Sequence, residues 1–169
     1  TTKTIDELLL KAMVNLIDET ENPDINNVNY QYVAGRQKVS MLRKEVYGDY
    51  TPPPLYEIVQ KNIQNKSYSP ELLEWYDEQE WNRLDSYVKH ERDMDLTYVA
   101  MEQLRGKYLV QNRATGQIME TPQVAYALIA ASLFSRYPRE TRMRYVRDAY
   151  DAFSKHDISL PTPVMAGVR

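Results

Sequence analysis

Fourteen consecutive residues, Thr121 to Phe134, carry no charge, and from Val124 onward they form the longest apolar run of the chain. Thr121-Pro122 is a helix start, because proline is favoured in a first turn, where its missing N–H costs nothing. Val124, Ala127, Leu128, Ala131 and Leu133-Phe134 continue an apolar helix. Its small residues imply close packing against neighbouring elements in the core. The run is shorter than the ~20 residues a bilayer requires, which makes it a core helix and not a membrane span.

The remaining sequence supplies helices to cover it. Thr4-Ile5-Asp6-Glu7 has the form of a capping box, followed by an apolar helical pattern from Leu8 to about Ile17. Asp18 to Asn29 is polar and reads as a loop. A helix over Tyr30–Tyr47 is expected to stop at Gly48. Thr51-Pro52-Pro53-Pro54 is a stiff spacer and a candidate boundary. Leu55, Ile58, Val59 and Ile63 share one face of a short helix. Ser69-Pro70 caps the next, with Leu72, Leu73 and Trp75 on its apolar side. Trp81, Leu84, Tyr87 and Val88 lead to the charged run Lys89–Asp95, expected to be solvated. A helix from Leu96 to Leu104 should end at Gly106. Residues about 107–120, with Asn112–Gly116 at the turn, read as a β-hairpin. A last helix, about Glu140 to Ser154, points Met143, Val146, Tyr150 and Phe153 inward. The fold class expected is all-α, an irregular or orthogonal helical bundle with one small β-hairpin.

Composition excludes several functions. A formal charge of −3 and a pI near 5.5 oppose a dedicated nucleic-acid binder. The cluster Arg136, Arg139, Arg142, Arg144 and Arg147 is expected to be a solvated helix face with intrahelical ion pairs, not a nucleic-acid surface. No cysteine is present, which removes disulfides, thiolate metal sites and thiol nucleophiles. His90 lies in the charged run without a second clustered histidine, so no metal site is expected. The 14 tyrosines against two phenylalanines read as amphipathic packing residues whose hydroxyls reach water. With no signal-peptide pattern and no spanning helix, a cytoplasmic protein is expected. Pro161 and Pro163 hold the last stretch, Ser159 to Arg169, extended, and present Thr162 on a stiff strut.

Ordered blocks of the sequence resemble the large subunit of class I ribonucleotide reductases. The most specific is G-K-Y-L-V-Q-N-R-A-T-G-Q-I-M-E-T-P-Q, Gly106 to Gln123. His90-Glu91-Arg92-Asp93-Met94 is similar to a second family run, and S-L-P-T-P-V-M-A-G-V-R, from Ser159, is similar to the segment leading into the catalytic barrel. Thr1-Thr2 before I-D-E-L-L-L-K-A, with Tyr30-Gln31-Tyr32-Val33-Ala34 and Val46-Tyr47-Gly48, resembles the end of the ATP-cone regulatory domain. Asp6 stands where enterobacterial members carry a histidine.

The resemblance implies three segments: 1–48 as the C-terminal part of an ATP-cone, 49–157 as the helical N-terminal domain, and 158–169 as the lead-in to the barrel. It implies that Thr162 contacts the diphosphate of a ribonucleoside diphosphate substrate, and that Thr2 and Lys44 contact an ATP or dATP effector, held only when the cone is complete. It implies partners in the remainder of the large subunit and in the small subunit, and no catalytic residue in this chain. Two other readings stay open at this point: an autonomous helical interaction module, and a nucleic-acid binder through the arginine helix.

Overall fold

The axis of the fold is the uncharged helix. In the computed structural model, which describes residues 2–17 and 27–167, Pro122–Leu133 is an α-helix, and each residue from Pro122 to Ala131 is buried. The helices in chain order are α1 (Thr2–Asn15), α2 (Tyr30–Tyr47), α3 (Leu55–Gln64), α4 (Glu71–Trp75), α5 (Glu78–Asp85), α6 (Tyr98–Gln103), α7 (Pro122–Leu133), α8 (Arg139–Ser154) and α9 (Thr162–Gly167). A 3-10 helix, His90–Asp95, precedes α6, and a π-helical turn, Leu104–Tyr108, follows it. Helix α8 and the 3-10 helix flank α7; α2 packs on α1, on α6 and on the 3-10 helix; α3 packs on α5. One core runs through these elements, from Val39 and Leu42 of α2 to Trp81 and Leu84 of α5 and Val146 and Tyr150 of α8. Among the described residues no helix is long and apolar enough to cross a membrane.

Local signals set most of the boundaries. Helix α2 spans the expected Tyr30–Tyr47, and Gly48 stops it at φ 76° while its N–H donates to the Lys44 carbonyl at 3.0 Å. Ser69 Oγ accepts from the Glu71 N–H at 3.3 Å, the expected capping bond, although the regular helix begins only at Glu71. A second cap escaped the sequence reading: Asp77 and Glu80 form a reciprocal capping box at the start of α5. The helix starts earlier than the box expected at Thr4: α1 already runs from Thr2, which places Thr4 inside the first turn. Most of the expected loop Asp18–Asn29 lies outside the described residues; Asn27–Asn29 form a 3-10 turn.

The hairpin shrinks to one antiparallel bridge, Gln111 with Ile118, around Gly116 at φ 70°. Lys107 and Tyr108 belong to the π turn instead of a strand. The helix before them does not stop at Gly106, because the Leu109 N–H reaches back five residues to the Leu104 carbonyl at 2.9 Å. The strut is corrected too. Thr162 opens helix α9, with the Pro161 carbonyl accepting from the N–H groups of Val164 and Met165 at 3.0 and 3.1 Å. Proline is tolerated in a first turn, and Leu160, Val164 and Met165 gain contact with the core by the coil.

Charged and phenolic groups reach further inside than composition suggests. Arg142 of α8 is buried, not solvated: its guanidinium forks onto Glu80 at 2.8 and 2.6 Å, donates to the Trp75 carbonyl at 2.6 Å and lies 4.2 Å from the Tyr76 ring centre. The other paired arginines do stay at the surface, Arg144 and Arg147 beside Asp148, and Arg139 on Asp77. Tyr76 donates to the Ala131 carbonyl at 2.8 Å, and Tyr150 to Gln123 Oε1 at 2.8 Å. These hydroxyls meet protein instead of water. Burial raises both above the ordinary phenol range and keeps them neutral donors.

Candidate functional site

Helices α1 and α2 leave a cleft of about 740 Å³ between them, and it holds both residues implicated in effector contact. Thr2, Lys3, Asp6, Glu7, Leu10, Lys11 and Val14 line it from α1, recurring every three or four residues as one helix face requires. Lys38, Met41, Leu42, Lys44 and Glu45 line it from α2, and Tyr98 and Arg105 close it from the helical body. Five cations face three carboxylates, so the cleft favours an anion. Thr2 and Lys44 are exposed in it. The Lys44 ammonium donates to the Tyr50 hydroxyl at 3.3 Å and sits 5.1 Å from that ring's centre. Asp6 accepts from Gln37 Nε2 at 3.2 Å and so ties the two helices together.

Two ion pairs rim the cleft. Arg105 forks onto Glu45 at 2.6 and 3.1 Å, and Lys38 pairs with Glu102. Sequence reasoning missed Lys3 and Lys11, which helix periodicity could have placed on the Thr2 face. Tyr98 and Arg105, more than 50 positions from α2, carried no such signal.

Thr162 stands apart from the cleft. It is exposed at the start of α9, and its Oγ1 lies 3.4 Å from the Tyr108 hydroxyl. A hydroxyl there can donate to an anionic oxygen arriving from solvent.

Behind α2 the charged run Lys89–Asp95 keeps Lys89, Glu91 and Asp95 exposed, as expected, but turns Asp93 inward. The Asp93 carboxyl is completely buried; Oδ1 accepts from the Gln123 N–H at 3.2 Å, and Oδ2 lies 3.6 Å from Arg43. Arg43 also donates to the His90 carbonyl and to the Tyr50 carbonyl. Burial pushes Asp93 up to about 7, against the pull of Arg43 and the bonds from Gln123. The folded protein therefore holds this proton where the unfolded chain has released it. The stability this contributes is complete below the unfolded carboxyl pKa, near 3.8, and is lost as pH rises through about 7. His90 acts oppositely: burial and then Arg43 lower its pKa, so stability is lost as pH falls below 6.5. Comparison with Asp93→Asn isolates the carboxyl. Urea midpoints measured from pH 5 to pH 8 should show the wild type losing ground to Asp93→Asn as pH rises; parallel curves would refute the assignment. Among the described residues no group of three or more His, Asp or Glu side chains could hold a metal ion.

The family model for the ribonucleotide reductase all-alpha domain matches residues 94–169. The chain is 49% identical over 168 residues to the ribonucleoside-diphosphate reductase subunit alpha of Haemophilus influenzae and equally to the ribonucleoside-diphosphate reductase 1 subunit alpha of Escherichia coli, in each case over 99% of this chain and 21% of the relative. It is 44% identical over 169 residues to the alpha subunit of Enterobacteria phage T4, covering 100% of the chain and 22% of that protein. The chain belongs to the ribonucleoside-diphosphate reductase alpha-subunit family, resembles its N-terminal region, and spans about a fifth of the length of these relatives.

Proposed function

We propose that this chain forms the N-terminal helical part of a cytoplasmic ribonucleoside-diphosphate reductase large subunit, which reduces ribonucleoside diphosphates to deoxyribonucleotides. The supporting observation is near-50% identity to reductase alpha subunits along essentially the whole chain. In this reading residues 49–157 are scaffold, 158–169 lead toward the catalytic barrel, and 1–48 are the C-terminal part of an ATP-cone. Thr162 donates to a substrate diphosphate oxygen. Thr2 and Lys44, from the two sides of the cleft, contribute to an effector site for ATP or dATP that is finished by the rest of the cone. The remainder of the large subunit supplies the redox cysteines, of which this chain has none, and the small subunit supplies the radical.

The test is reconstitution. The chain alone should reduce no ribonucleotide; mixed with the remainder of the large subunit and with the small subunit, it should support deoxyribonucleotide formation. In that mixture Thr162→Val should weaken substrate binding by about 1–3 kcal/mol, the cost of losing a hydrogen bond to a charged group, whereas Thr162→Ser should retain it. Wild-type affinity in Thr162→Val would remove Thr162 from the substrate site, and turnover by the isolated chain would overturn the reading.

A further inference from the structure

One short element touches both candidate sites. The π turn Leu104–Tyr108 carries Arg105 at one end, forked onto Glu45 beside Lys44 at the cleft, and Tyr108 at the other, 3.4 Å from the Thr162 hydroxyl. The turn is braced across its middle, because Gln111 Nε2 donates to the Arg105 carbonyl at 2.8 Å and the Leu109 N–H closes it on Leu104. It also packs directly on α9. A five-residue element pinned at both ends moves as a unit, and single π turns recur where a helix must place side chains for function.

We propose that Arg105 and Tyr108 are positioning residues for Thr162, and that the Glu45–Arg105 pair makes the place of the Thr162 hydroxyl depend on the state of the cleft. The proposal rests on the reading of Thr162 and the cleft given above, but its mechanical content belongs to this chain alone. An anion entering beside Lys44 competes with Glu45 for Arg105. The released guanidinium frees the start of the turn, and Tyr108 and Thr162 follow. A second ion pair from α2, Lys38 with Glu102 of α6, precedes the turn and serves as an internal control.

The experiment is threonine-methyl NMR on the chain, with the Thr162 signal assigned by its disappearance in Thr162→Ser. Arg105→Gln, Glu45→Gln and Tyr108→Phe should each displace that signal by more than a linewidth, Arg105→Lys should bring it part of the way back, and Glu102→Gln should leave it in place. A Thr162 signal that ignores Arg105→Gln and Glu45→Gln would overturn the proposal, and so would an equal displacement by Glu102→Gln, which would mean general loosening of the interface. Displacement as expected, together with unchanged substrate affinity in Thr162→Val, would uphold the linkage while removing Thr162 from the substrate site. The two readings therefore fail separately.

Discussion

Replacing Arg142 with methionine should cost the protein about 3–5 kcal/mol, the range found when one partner of a buried ion pair is removed and the other charge is left behind. The stranded group is the Glu80 carboxylate, 11% exposed, which would lose both arms of the guanidinium fork. It would retain its bond from the Asp77 N–H at 3.2 Å, the backward half of the capping box, and Arg139 at 3.8 Å. Neither replaces a planar fork. The Trp75 carbonyl would lose a donor and Tyr76 a cation over its ring. Arg142→Lys should recover only part of the loss, because an ammonium offers a point charge in place of the fork. Removing both charges in Glu80→Met/Arg142→Met should leave a protein more stable than Arg142→Met alone, since no ion is then buried without its partner. Urea unfolding followed by circular dichroism measures these variants, Glu80→Met and the wild type. A double variant that loses the sum of the single losses would show that the two residues act independently.

Gly35→Ala should be nearly as damaging, at about 3 kcal/mol. A Cβ at this position would stand 2.1 Å from the Leu96 carbonyl oxygen and 3.0 Å from the Thr97 carbonyl carbon, distances at which backbone must move. That backbone has little freedom. Leu96 donates its N–H to the Asp93 carbonyl, and Thr97 accepts from the Met101 and Ala100 N–H groups to start α6. The glycine is thus required by the closeness of α2 to the strand of chain entering α6, not by its own φ. Gly106→Ala is the matched contrast, because nothing lies within 4 Å of its Cβ position, and it should change stability by no more than about 0.5 kcal/mol. Thermal unfolding of the two variants side by side checks both; an equal, small effect would mean that α2 can slide away from Leu96 without loss.

The cleft and the Thr162 site were legible to different depths. Thr2 and Lys44 were picked out by resemblance, and the structure brings them to one cleft; helix periodicity is the signal that could have added Lys3, Glu7 and Lys11 to the Thr2 face. Nothing in the sequence singles out Arg105, and its partner Glu45 lies 60 positions away. Tyr108 was expected in a strand. Its place beside Thr162, 54 positions on, follows from the π turn and the coiling of α9, and both depend on what the chain packs against.

What the sequence by itself determined is everything that depends on neighbours within about one helical turn: the core helix opened by Pro122, the span of α2 and its stop at Gly48, the Ser69 cap, the all-α class. Those signals are read locally because backbone torsion, capping and side-chain periodicity act over three or four residues. Only the tertiary structure decided that the Asp93 and Arg142 side chains are buried and not part of a solvated face, that Tyr76 and Tyr150 spend their hydroxyls inside the protein, and that Glu45, Arg105, Tyr108 and Thr162 follow one another in space. A charged side chain can be buried when a partner from a distant segment satisfies it. That partner is found by folding, so composition and spacing cannot announce it.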